Sequence, residues 1–347
     1  MTTRATTEST PPTPAETVPH RGALRHGRGL PPQPAQDTAQ LPVADCTADG
    51  AGGLTFDVRL PEPAHEIPPA VRARALENAA VLLVRRGTDP LDNGDGTVRL
   101  PLTPVAPGGP LRAALPSTMS LPEGRWDAYL EGGCLDGAAG DEGPQRMRHG
   151  AHDLRSLTGR TPRHGRTWLG VRIPYAAVDG HLTVRAWLRW PHAEAGELHA
   201  DEDGFVLEGR LYGAELGAEA ALVAQLRDPA GAREPARVTV PVSRVEDESG
   251  AEGAAFTVRL RYADLAGHAA LPWRLLLATG GDGDGGTEEA QPVRIARILD
   301  DVADKEHTYV YAPGRVGDGA DALTVQPCYT ADNDLALRVA EGAAGTV

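Results

Sequence analysis

Lysine is almost missing from this chain of 347 residues, with Lys305 as its only example. Nearly all positive charge is therefore arginine. Carboxylates outnumber the bases, giving a formal net charge of -14 and a pI near 5.2. That balance argues against a nucleic-acid partner, which needs clustered basic residues to hold phosphates. Three cysteines, Cys46, Cys134 and Cys328, lie far apart, and no CxxC occurs. Neither a disulfide framework nor a zinc-finger spacing is indicated, which fits a reducing compartment. No run approaches 18 apolar residues, so no membrane-spanning helix is expected. No charged stretch leads into an apolar core at the start, so no signal peptide is expected either.

Catalytic signatures are missing as well. No GxGxxG opens a helix after a strand, and no GxxxxGK[ST], GxSxG or HExxH is present. "DNGDG" (Asp92 to Gly96) and "GGDGDGG" (Gly280 to Gly286) lack calcium-loop spacing and read as loops. Asp201 to Asp203 and Asp332 to Asp334 have the letters of a metal-binding carboxylate pair. The second lies in a hairpin turn, where turn chemistry already explains it.

What the chain does have is punctuation. Gly occurs 41 times and Pro 30 times, while Phe, Trp and Tyr make up 4%. Such a composition breaks the chain into many short elements. Residues 1–45 are rich in Thr and Pro without an apolar period, and are expected to form a disordered tail. From Gly53, "GLTFDVRL" alternates, with Leu54, Phe56, Val58 and Leu60 on one face. A period of two means a half-buried strand.

The same texture recurs. "GLTFDVRL" resembles "GFVLEGRL" from Gly204, and "TVRLPL" from Thr97 resembles "RVTVPV" from Arg237. "GRWDAYLEGG" from Gly124 resembles "LPWRLLLATGG" from Leu271, with Trp126 on Trp273. "HDLRSL" from His152 resembles "RILDDV" from Arg297. "VRIPYAAVDGHLTVRAW" from Val171 resembles "TVQPCYTADNDLALRVA" from Thr324. Five matches in one order indicate a tandem duplication. The expected architecture is all-β: two tandem immunoglobulin-like β-sandwich domains, 46–190 and 204–342, after the tail. An acidic connector over 191–203 would join them. One short helix is expected early in 68–84, ahead of a strand.

The last matched pair reads as a terminal hairpin in each repeat. Asp179-Gly180 sits between alternating runs, a strong hairpin signal. The second turn position needs a positive φ, which glycine reaches freely and Asn333 tolerates. Pro174 and Pro327 lack an N–H and belong at a strand edge or entry.

Trp126 and Trp273 are expected in the cores. In "HLTVRAWLRW" the outward set is Thr183, Arg185, Trp187 and Arg189, with Trp190 nearby. Trp187, Trp190, Arg185 and Arg189 are therefore candidates for stacking and polar contact with a ligand, against the alternative of packing between the repeats. His192, Glu194, Glu197 and His199 fall within eight residues of the connector and are candidate metal ligands. No catalytic residue and no cofactor emerge.

The combination of "RWDAYLEGG", "VRIPYAAVDGHLTVRAWL", "RIARILDDVADK" and "VQPCYTADNDLALRV" resembles the β-sandwich accessory region of bacterial cell-surface-polymer glycosyltransferases and glycerophosphotransferases. It covers residues 46–342. The nucleotide-binding α/β domain of such enzymes has no counterpart here. The resemblance thus implies a non-catalytic binding or assembly module in cell-surface glycopolymer synthesis. Its partners would be a glycosyltransferase catalytic protein or a surface glycan, and an oligomer is compatible with that role. The location would be cytoplasmic, or peripheral at the inner face of the membrane through partners. Two alternatives stand beside it. One is a genuine glycosyl or glycerophosphoryl transferase with an unrecognised site. The other is a structural protein–protein interaction module.

Overall fold

A computed structural model describes residues 41–341 apart from 63–67, 88–95, 107–108, 133–142, 163–166, 227–235, 247–251, 269, 281–290 and 319–321. The tail expected over 1–45 lies outside these residues up to position 40, as do Cys134 and most of the two glycine-rich loops.

The first set of strands is β1 (Val43–Ala48), β2 (Leu54–Arg59), β3 (Ala80–Arg85), β4 (Thr97–Pro101), β5 (Thr103–Pro104), β6 (Leu111–Leu115), β7 (Gly124–Glu131), β8 (Gln145–Arg146), β9 (Arg148–Asp153), β10 (Leu169–Ala176) and β11 (Leu182–Arg189). The second set is β12 (His192–Ala200), β13 (Gly204–Tyr212), β14 (Ala221–Leu226), β15 (Arg237–Pro241), β16 (Ser243–Arg244), β17 (Ala254–Arg261), β18 (Trp273–Ala278), β19 (Val293–Ala296), β20 (Gly314–Val316), β21 (Leu323–Tyr329) and β22 (Leu335–Glu341). The helix α1 (Pro69–Leu76) runs ahead of β3, as "PPAVRARAL" followed by "AVLLV" suggests.

The strands form all-β sandwiches. One sheet has the order β5-β6-β2-β1-β9, and its partner the order β10-β11-β7-β3-β4 with β8 on β7. The second set repeats this order, with β20 as an added edge strand. There β16-β17-β13-β12-β19 continues into β18-β22-β21-β20, with β14 and β15 built onto β18. The two sheets are joined because β19 pairs with β12 in parallel and with β18 antiparallel. Across the sheet, β1, β2, β6 and β5 take the A, B, E and D positions of an immunoglobulin-like sandwich, with β3 and β7 at C and F. All five pairs of matched segments fall on equivalent elements.

The alternation places the core. Leu54, Phe56 and Val58 are at most 2% exposed, while Arg59 points to solvent. Each such side chain contributes about 1.5–3 kcal/mol of burial. Trp126 and Trp273 are buried in equivalent strands, each within its own apolar cluster. Pro174 sits on the edge strand β10, and Pro327 lies beyond the part of β21 that β20 covers.

The hairpins carry positive φ where expected, at Gly180 (77°) and Asn333 (59°). The turns are wider than a two-residue loop, because the N–H groups of Gly180 and Asn333 donate to the carbonyls of Ala177 and Thr330. Only the last turn residue is left-handed, the geometry of a type I turn closed by a bulge. Equivalent bonds then hold both turns in place, from His149 N–H to Gly180 O and from Arg297 N–H to Asn333 O.

Three expectations need correction. Residues 43–45 are not part of a tail, because β1 begins at Val43. Residues 191–203 are not an extended connector, because nine of them form β12, the first strand of the second sandwich. Ala193, Ala195 and Leu198 face its core. Their small size and a register shift between Ala195 and Leu198 hide the alternation. The polar face expected of β11 is also not solvated. Thr183, Arg185, Trp187 and Arg189 are all at most 6% exposed: the second hairpin lies against Arg185, Trp187 and Arg189, and Asp127 and Arg86 cover Thr183.

Candidate functional site

The junction between the two sandwiches is built from β11 and the closing hairpin of the second. Trp187 Nε1 donates to Asp332 O at 2.9 Å. Arg185 Nη2 donates to the Asp332 carboxylate, and its guanidinium lies 5.1 Å from the Trp187 ring centroid. Arg189 Nε donates to Glu123 Oε1, and Arg294 Nη2 donates to Glu123 Oε2 at 2.8 Å. Arg189 Nη1 sits 2.7 Å from Asp334 Oδ1 as an ion pair lacking hydrogen-bond geometry. Burial pushes the Glu123 carboxyl up, but Arg189 and Arg294 outweigh it and hold the group below the usual glutamate range. Tyr212, Ala296, Ile298 and Leu299 of the second set join the first apolar cluster.

A polar nest lies beside these apolar contacts. His192 is buried, with Nε2 at 2.6 Å from Glu194 Oε2. The Glu194 carboxylate accepts the N–H groups of Ile298 and Leu299 at 3.0 Å. Lys305 is fully buried, with Nζ donating to Asp300 Oδ1 at 2.6 Å and Val302 O at 2.7 Å. Burial lowers its pKa against the pull of Asp300. Asn333 ties this loop to the hairpin, since Oδ1 accepts Lys305 N–H at 3.2 Å and Nδ2 donates to Ala303 O at 3.3 Å. Nearby, burial pushes the Arg160 guanidinium down to about 10, opposed by Glu194, Asp300 and Asp49.

The sequence candidates separate here. Arg185, Trp187 and Arg189 come together, but as junction contacts with Asp332, Glu123 and Asp334. His192 and Glu194 pair with each other, whereas Glu197 and His199 are exposed further along β12. Among the described residues, no three His, Cys, Asp or Glu side chains converge on a metal position. Asp201 caps its own turn, accepting the N–H groups of Asp203 and Gly204 at 2.9 and 2.8 Å.

Trp190 is the candidate left at an opening. Its ring covers Gly213, and it lines a cleft of about 1100 Å³ between the end of β11 and the outer face of β14, β15 and β18. The floor is apolar, from Ala221, Val223, Leu276 and Ala278. Arg189, Arg237, Arg274 and Arg294 stand around it, and Glu219 is the only carboxylate among the described lining residues. Of these arginines, Arg237 and Arg274 are exposed. Sequence reasoning missed them because they stand on separate strands, 37 positions apart. No helix of the described residues is long and apolar enough to cross a membrane.

No family model and no curated protein matches the chain. Among solved structures it is similar to a crystal structure of S. aureus TarS 217-571, at 14% identity over 45% of this chain and 40% of that one, with a TM-score of 0.30. A crystal structure of S. aureus TarS matches at 14% identity over 54% of this chain and 31% of that one, also at 0.30. A marsupial T cell receptor matches at 8% identity over 87% and 92%, at 0.18. The chain thus spans 40% or less of the length of the TarS structures it matches. Agreement at this level transfers no role to any residue.

Proposed function

We propose that this chain is a non-catalytic binding and assembly module of cell-surface glycopolymer synthesis. The observation that carries the reading is the open cleft beside the junction. It is a large concavity whose walls come from both sandwiches and are fixed by the contacts of Glu123, Arg189 and Arg294. Ligand sites favour such concavities between units, with an apolar floor and a few placed polar groups. The motif resemblance supplies the process, and the cleft supplies a place for a glycan. Trp187 and Arg185 serve this site from behind, by holding the hairpin that fixes the second sandwich against β11.

The test is a binding screen of the full chain against purified cell-surface glycans, run beside an assay with nucleotide sugars. Saturable glycan binding without turnover of a nucleotide sugar supports the module. Donor-dependent transfer to an acceptor would overturn it in favour of a transferase.

A further inference from the structure

The two repeats differ in charge on one shared surface. On the outer face of β3 and β7, Asp127 accepts from Arg86 at 3.1 Å and pairs with Arg146 at 2.9 Å, while Glu131 pairs with Arg99. The first repeat thus neutralises its own arginines. Superposing Trp126 on Trp273 by strand register places Arg274 at the position of Asp127 and Ala278 at that of Glu131. Arg237 takes the position of Thr97. At these described positions the second repeat therefore has no carboxylate and carries Arg237 and Arg274, while Thr239 stands where the first repeat has Arg99. Among the described residues neither the Arg237 nor the Arg274 side chain has an ion pair or hydrogen bond. Among the described residues this face is basic, in a chain of net charge -14.

The geometry sets the size of the ligand. Arg237 and Arg274 both stand opposite Gln225, on the strands either side of β14. Two strand spacings separate their backbones by about 10 Å. At that spacing, two acidic groups along one chain molecule can each engage one fork. Arginine's planar donors suit carboxylate and phosphate oxygens. Between them and Trp190 runs the apolar floor of Val223 and Leu276, a surface for the C–H faces of sugar rings.

We propose that this cleft binds an acidic saccharide chain, with Arg237 and Arg274 each taking one anionic group and Trp190 flanking the sugar backbone. The inference rests on reading the chain as a glycan-binding module and names the ligand class of that site.

The test is calorimetric titration of the full chain with octagalacturonate, maltooctaose and inorganic polyphosphate at two salt concentrations. The expected result is binding of octagalacturonate that weakens with salt and exceeds that of both other probes. Arg237→Glu with Arg274→Glu should lower it by about 10-fold for each arginine. Both side chains are exposed, so folding should survive, checked by an unchanged melting curve. Reversing the exposed Arg244 and Arg315 instead makes the same charge change away from the cleft and should leave affinity within about 3-fold. Equal binding of polyphosphate would overturn the saccharide claim. Maltooctaose binding that survives the double reversal would overturn this inference while leaving the module reading intact. No binding of any saccharide would overturn both.

Discussion

Asn333 offers a test whose outcome turns on a sign. If this residue is present only because it tolerates a φ of 59°, glycine should do better. A left-handed conformation costs an L-residue about 1–2 kcal/mol, less for asparagine, so Asn333→Gly would be neutral or stabilising. The side chain does more than tolerate the turn. It is fully buried, accepts the buried Lys305 N–H, and donates to Val302 O and Ala303 O at 3.4 and 3.3 Å. Stranding the Lys305 N–H costs about 1–3 kcal/mol, and the two long bonds add about 0.5 kcal/mol each. Set against the relief of φ, the net loss should be about 1–3 kcal/mol. Urea unfolding reads it as a lower midpoint at unchanged slope. Gly180→Asn is the mirror experiment. A Cβ there meets nothing within 4 Å, so only the φ cost of about 1 kcal/mol should appear. A variant Asn333→Gly as stable as the natural chain would refute the argument that Asn333 holds the 300–305 loop.

Three further perturbations probe the junction. Trp187→Phe should cost about 1 kcal/mol by losing the bond to Asp332 O, and Trp187→Ala about 3–5 kcal/mol, both measured by thermal unfolding. The folded pKa of Glu123 is depressed, so its contribution is present above the ordinary glutamate value of about 4.3 and is lost as pH falls through the lower folded value. Glu123→Gln should therefore destabilise at neutral pH and flatten the acid limb of the stability curve; an unchanged limb would contradict the pairing. Lys305→Met should lower stability by about 1–3 kcal/mol, since Asp300 and Val302 O lose their ammonium donor.

Strand texture made the fold legible. Alternation exposed β2, the paired tryptophans aligned the repeats, and five ordered matches fall on equivalent elements of two sandwiches that share their strand order apart from β20. The strand β12 was hidden because it buries alanines among acids, and its register shift breaks the period. The burial of β11 was hidden for another reason. A period of two assumes water on one face, and here a hairpin 145 residues away replaces the water. The charge imbalance at Arg237 and Arg274 was present in the sequence all along. It emerges when the repeats are compared residue by residue, with Asp127 against Arg274 and Glu131 against Ala278.

Hydrogen exchange of the full chain with and without octagalacturonate tests the central claim most directly. The account predicts added protection in peptides covering Arg237–Pro241 and Trp273–Ala278, the strands that carry Arg237 and Arg274, with none in the equivalent strands Thr97–Pro101 and Gly124–Glu131. Protection confined to the first repeat, or equal in both, would contradict it.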